Sequence, residues 1–121
     1  MKKIFASLLL ALFFSVPVHA EPQIPAYRAA FYVGQNVMAC GIVKQVHNGR
    51  SAVYLNLDKE FPNQTLGIVI WNYNLDAFQT RFGNLDVFVN RRACVRGEIK
   101  EFNNSLQIQV RSPQFLRLMN N

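Results

Sequence analysis

Apolar and polar residues alternate with period two through most of the chain, and short polar turns interrupt the pattern. From Gln35 the stretch QNVMACGIVKQVH is β-prone, with Gly41 in its middle, where a bulge or sharp bend is expected. HNGR, His47–Arg50, carries Asn-Gly, a strong hairpin signal. In SAVYLNLD, Val53, Leu55 and Leu57 share one face, and Tyr54 and Asn56 share the other. A polar hinge, Asp58 to Gln64, contains Pro62 and leads into TLGIVIW. There Leu66, Ile68 and Ile70 alternate with Gly67, Val69 and Trp71, so both faces are fairly apolar. The period changes in NYNLDAFQTRFGNLDVFVN, where Leu75, Phe78 and Phe82 stand at helical spacing. Asn74 is the candidate N-cap and Gly83 the stop, so a short helix is expected there. RRACVRGEIKEF returns to strand alternation around Gly97, and NNS at Asn103–Ser105 makes a tight turn. LQIQVRS closes with Leu106, Ile108 and Val110 inward and Gln107, Gln109 and Arg111 outward. Ahead of all this, residues 21–32, EPQIPAYRAAFY, have two prolines and no period, and read as an extended lead-in.

The order is β-β-β-α-β-β. Glycines inside the first and fourth strands let a sheet turn a corner with no Cβ in the way, which a small closed barrel requires. The expected fold is therefore all-β, a five-stranded Greek-key OB-fold barrel with one short helix between strands 3 and 4. The barrel is assigned to residues 33–118. In that topology the first and fourth strands are neighbours, so Cys40 beside Gly41 and Cys94 near Gly97 come within bridging reach.

The first twenty residues change the picture of the compartment. MKKIFASLLLALFFSVPVHA has a cationic start at Lys2 and Lys3, an apolar run from Ile4 to Phe14, and a small-residue finish at Val18-His19-Ala20. This is the pattern of a cleaved secretory signal peptide spanning residues 1–20, with the cut after Ala20. A membrane anchor is the competing reading, and the apolar run is short for a span. A periplasmic or secreted protein follows, with no membrane span in the mature form. The 101 residues left suffice for one domain with a modest core. Removing Lys2 and Lys3 leaves 11 cations against 7 acidic residues, a net charge of +4. That mild excess suits an anionic partner. Two cysteines in an exported chain read as the disulfide Cys40–Cys94, with a pair of buried thiols as the alternative.

The blocks VGQNVMACGIV, YLNLDKEFPNQTLGIVIW, ACVRGEIKEF and IQVRSPQFL, taken in order, resemble a small bacterial OB-fold domain that occurs alone behind a signal peptide. It also occurs joined to DNA-metabolism modules, and is related to the single-stranded-nucleic-acid and tRNA-anticodon-binding OB group. The resemblance runs from about Tyr32 to Leu116. It implies the barrel, and by kinship a nucleic-acid ligand. EFNNS departs from the Tyr-Arg-Gly turn of that pattern, which counts against a contact from this last loop.

OB-folds that hold single strands lay them across strands two and three, with bases stacked on aromatic rings and phosphates met by cations. The candidate nucleic-acid-binding residues are Arg50, Tyr54, Asn56, Trp71, Lys100 and Phe102. Each has a plainer alternative. Trp71 can cap the mouth of the barrel, Tyr54 can stiffen the sheet as a cross-strand partner, and Arg50 can be a solvated turn residue. The amides Asn63 and Gln64 are expected chiefly to satisfy their own loop backbone. Arg91, Arg92 and Arg96 are the densest positive cluster, with Glu98 as the expected partner of Arg96. His47 is the one histidine after the signal segment, and Asp58 with Glu60 is the one close acidic pair. No catalytic constellation emerges, so no catalytic residue, metal or cofactor is expected. The expected partner is single-stranded DNA or RNA, contacted without chemistry. The competing class is an envelope-stress or ligand-binding role, meeting a small molecule, glycan, or envelope or secretion-machinery protein. A structural subunit of a secretion or conjugation machine is a third.

Overall fold

A computed structural model describes residues 21–119; the signal segment lies outside them. The strands are β1 (Gln23–Pro25), β2 (Asn36–Asn48), β3 (Ala52–Leu57), β4 (Leu66–Trp71), β5 (Arg92–Glu98), β6 (Lys100–Phe102), β7 (Ser105–Gln109) and β8 (Leu116–Met119). One α-helix, α1 (Leu75–Phe82), lies between β4 and β5. The sheet runs β6-β7-β4-β3-β2-β5-β8, and β1 adds to β2 in parallel. The mostly-β, OB-like architecture agrees with the sequence. The count of five strands does not, because eight are present.

The three additional strands arise from contacts between residues far apart in the chain. RRACVRGEIKEF divides at Ile99, which is fully buried and bridges to Val33, so β5 and β6 form in place of one strand. Pro22 O accepts a hydrogen bond from Met38 N at 2.9 Å, which ties β1 to β2. Only Gln23–Pro25 of the lead-in is a strand; Ala26–Tyr32 forms a 3-10 helix. Its inward residues, Ala26, Ala29 and Tyr32, recur every third position, the period of that helix and of neither an α-helix nor a strand. The last strand, β8, pairs with β5 and stands at the end of the sheet.

β6 and β8, at the two ends of the path, do not pair, so no hydrogen-bonded ladder closes the sheet. This corrects the closed barrel expected from the sequence. The path is bent round by the chain itself, because only Ile99 separates β5 from β6. At that corner β5 lies hard against β7: a Cβ added to Gly97 would stand 2.6 Å from Ile108 Cγ2.

The long strand β2 serves two neighbours, β5 with its first half and β3 with its second. The register shifts between Val43 and Gln45, which leaves Lys44 unopposed. The bulge thus falls at Lys44, and Gly41 stays in regular pairing with Ala93. What Gly41 supplies is room, since a Cβ there would meet Asp58 Oδ1 at 2.9 Å and Ala26 Cβ at 3.1 Å. The extra residue reverses the parity of the strand. Before it Val37, Ala39 and Val43 point into the core; after it Val46 does, and Gln45 and His47 turn outward.

The core collects Val53, Leu55 and Leu57 from β3, Leu66, Ile68 and Ile70 from β4, Ala93 and Val95 from β5, and Ile108 from β7. Phe78 of α1 is fully buried beneath them, and Phe82 meets Phe88 edge to face at 5.1 Å. The helix ends where the sequence places it: Gly83, at φ +77°, donates its N–H to Gln79 O at 2.8 Å. Asn74 occupies the N-cap position without a side-chain cap bond. Asn103 and Asn104 both have positive φ, the two-residue turn that matches the twist of the β6–β7 hairpin. Cys40 and Cys94 are directly opposed and disulfide-bonded, with Cα atoms 4.1 Å apart.

Candidate nucleic-acid interface

The outward positions of five strands build one face. His47 of β2 pairs with Tyr54 of β3, Tyr54 with Val69 of β4, and Val69 with Gln109 of β7. A second row runs Gln45, Asn56, Gly67, Gln107 and Lys100. Trp71 lies beyond Val69, opposite Ala52, and Phe102 lies opposite Ser105. Five of the six sequence-derived candidates therefore fall on one face. Arg50 stands at its edge in the β2–β3 turn. That turn is held beside Trp71 because Asn72 donates its side-chain N–H to Arg50 O at 2.8 Å and its backbone N–H to Ser51 O at 2.9 Å. Three strand spacings separate Tyr54 from Lys100, about 14 Å at ordinary sheet geometry.

The aromatic residues on this face are positioned rather than merely exposed. Trp71 is outside the core cluster and half-buried, which excludes the capping of a barrel mouth from within. Its indole Nε1–H donates to Gln109 Oε1, 3.3 Å away. Tyr54 is half-buried beside His47, with ring centroids 6.0 Å apart and planes tilted by 33°. The structural part foreseen for Tyr54, a cross-strand partner, is thus present, with His47 as the partner. Lys100 is exposed, and Phe102 is 60% exposed.

Asn56 has to be withdrawn from the contacting set. It is 4% exposed, and its Nδ2 donates to Gln45 Oε1 at 2.8 Å. The same oxygen accepts Phe61 N–H at 2.9 Å, so one amide carbonyl staples the β3–β4 loop over this part of the sheet. The loop is further closed by Asp58, whose Oδ2 accepts the Thr65 hydroxyl at 2.7 Å and whose Oδ1 accepts Ile42 N–H at 3.3 Å. Asp58 adopts φ +70°, and the Phe61–Pro62 peptide is cis. Asn63 donates its backbone N–H to Glu60 O, as expected of a self-satisfying loop. Gln64 departs from that expectation, because its Oε1 is buried without a hydrogen-bond partner. The loop is fastened instead by Gln45, through Phe61 N–H, and by Asp58, through Thr65 and Ile42.

Gln45, His47 and Gln109 are the site residues least visible beforehand. The outward setting of Gln109 followed from alternation, but its contact with Trp71 did not. Gln45 and His47 are hidden by the bulge, which breaks the alternation just before them. The positive cluster also differs from expectation. Arg96 Nε donates to Glu21 at 2.8 Å rather than to Glu98, while Arg92 is exposed and Arg91 half-buried. Among the described residues no three His, Cys, Asp or Glu side chains are grouped to hold a metal ion. No helix among them is long and apolar enough to cross a membrane.

Neither a protein-family model nor a curated protein matches the chain. Solved structures do. An OBody, AM2EP06, bound to hen egg-white lysozyme aligns with a TM-score of 0.60 at 9% identity, over 87% of this chain and 99% of its own. The Stn1–Ten1 complex of S. pombe aligns with a TM-score of 0.52 at 15% identity, over 71% of this chain and 59% of its own. A protein described as an aspartyl-tRNA synthetase from Leishmania major Friedlin aligns with a TM-score of 0.54 at 8% identity, over 90% of this chain but only 22% of its own. At such identities the likeness concerns the fold alone, and that fold is OB-like.

Proposed function

We propose that this protein is an exported, non-catalytic binding module that holds single-stranded nucleic acid on the outer face of β3, β4 and β7. In this reading β2, β3, β4, the β5–β6 pair and β7 are the five strands of the OB unit, within residues 33–118. Residues 1–20 are cleaved after Ala20. Export to the periplasm or beyond is supported by the signal pattern and by the Cys40–Cys94 disulfide, which persists in oxidising compartments. The observation that carries the proposal is the placing of Tyr54 and Trp71 on one outward face, with Arg50 and Lys100 at its margins. Bases stack on the rings, each for about 1–3 kcal/mol, and the cations follow the phosphates.

Trp71 is the only tryptophan, so its fluorescence reports on this face directly. A titration with short oligothymidylate is expected to quench it, with affinity falling steeply between low and moderate salt. Absence of quenching together with salt-independent behaviour refutes the proposal. A protein ligand is the second reading, because one fold neighbour is bound to lysozyme. Under that reading a pull-down from envelope extract retains a defined protein partner and the oligonucleotide leaves Trp71 unchanged.

A further inference from the structure

Where β5 and β7 part, the surface opens into a cleft of about 290 Å³, close to the lower bound of small-ligand sites, roughly 300 Å³. Gly97 has no side chain and Val110 is buried, so most of its walls come from the cations Arg96, Lys100 and Arg111, the carboxylates Glu21 and Glu98, and Phe115. Phe115 reaches it from the 3-10 turn Pro113–Phe115. Gln109 lines the same cleft, and Gln109 Oε1 is also the acceptor of the Trp71 indole N–H. The cleft and the aromatic face are therefore one continuous surface, joined at that side chain.

Its charge is mixed but favours an anion. Glu21 and Glu98 line it against the three cations. Glu21 is engaged by Arg96 through Nε, which leaves the terminal guanidinium nitrogens of Arg96 clear of that bond. Lys100 and Arg111 then face the single carboxylate of Glu98. The cleavage proposed above puts a new α-ammonium group on Glu21, a lining residue, and so adds a fourth positive group.

We infer that this cleft receives the terminal phosphate of a strand lying on the Tyr54–Trp71 face, an inference that rests on the nucleic-acid reading. Arg111 and Lys100 hold the phosphate, and Phe115 packs on the sugar or base of the end nucleotide. A terminal phosphomonoester carries nearly two charges near neutrality where an internal diester carries one, so a site with several separate cations prefers it. The outward rows of the sheet stop at this point, which is where a crossing strand ends.

The test uses the full chain, expressed with residues 1–20 in place, and oligothymidylates carrying a 5′-phosphate, a 3′-phosphate or hydroxyls at both ends. Trp71 quenching is expected to show one phosphorylated form binding about tenfold more tightly than the hydroxyl form, the worth of one charge-assisted hydrogen bond. Arg111→Gln is expected to abolish that difference and leave binding of the hydroxyl-ended strand unchanged. Equal binding of all three strands by the wild type overturns this inference alone. A preference that survives in Arg111→Gln overturns it too, as does thymidine monophosphate binding as tightly as the phosphorylated strand, which reassigns the cleft to free nucleotide. Failure of every oligonucleotide to bind defeats the underlying reading instead.

Discussion

Gly97→Ala tests how the sheet is held round without a ladder between its ends. The added Cβ would stand 2.6 Å from Ile108 Cγ2, about 1 Å inside the usual 3.5–4.0 Å carbon contact. Ile108 is fully buried in the core, and its branched Cβ gives that methyl no easy alternative position. Overpacking of this kind costs about 1–3 kcal/mol. Replacing a strand glycine by alanine returns about 0.5–1 kcal/mol of chain entropy. The net expectation is a loss of about 1–2 kcal/mol, or a fall in Tm of roughly 5–15 °C for a domain of this size. Urea unfolding followed by Trp71 fluorescence and thermal melting by circular dichroism measure it. Ile108→Leu removes the offending methyl at nearly constant volume, so the double variant should be more stable than the sum of the two singles. A Gly97→Ala protein as stable as the wild type, or additive behaviour in the cycle, refutes the argument that this close approach holds β5 to β7.

Three further outcomes follow from particular contacts. Trp71→Ala and Tyr54→Ala should each weaken oligothymidylate binding by about 1–3 kcal/mol at unchanged far-UV spectrum, measured by anisotropy of a labelled strand because Trp71→Ala removes the intrinsic fluorophore. Replacing Cys40 and Cys94 together by Ala should cost on the order of 4 kcal/mol, from a bridge spanning 54 residues; a melting temperature insensitive to the change contradicts this. Gln45→Ala strands the Asn56 amide and the Phe61 N–H together, a loss of about 1–3 kcal/mol, and limited proteolysis should then cut within residues 58–65 where the wild type resists.

How far the chain could be read in advance depended on whether the cause of a feature was local. Strands with an unbroken period of two, such as Val53–Leu57 and Leu66–Trp71, declared both their extent and their inward side. Leu75, Phe78 and Phe82 with Gly83 declared the helix and its end, and the adjacency of the first and fourth strands paired the cysteines. The 3-10 helix Ala26–Tyr32 was hidden by its period of three. The division at Ile99 was hidden because Val33, far along the chain, takes up that residue. The outward parity of Asn56 was legible, but its burial was not, since it comes from a loop folding back on to Gln45. Arg96 finds its partner 75 residues away at Glu21, and nothing near Arg96 in the chain announces that.

The position of the sulfur bridge has a consequence for the order of assembly. Cys40 and Cys94 alternate with Ala39 and Val95, which are in the core cluster, so the bridge lies on the opposite side of the sheet, where both cysteines are nonetheless buried, 3% and 4% exposed. The interior can therefore reach its final packing while both thiols are still reduced. Oxidation then ties β2 to β5 at a pair already in register, and the burial of both cysteines shields the finished bridge from reductants in solution.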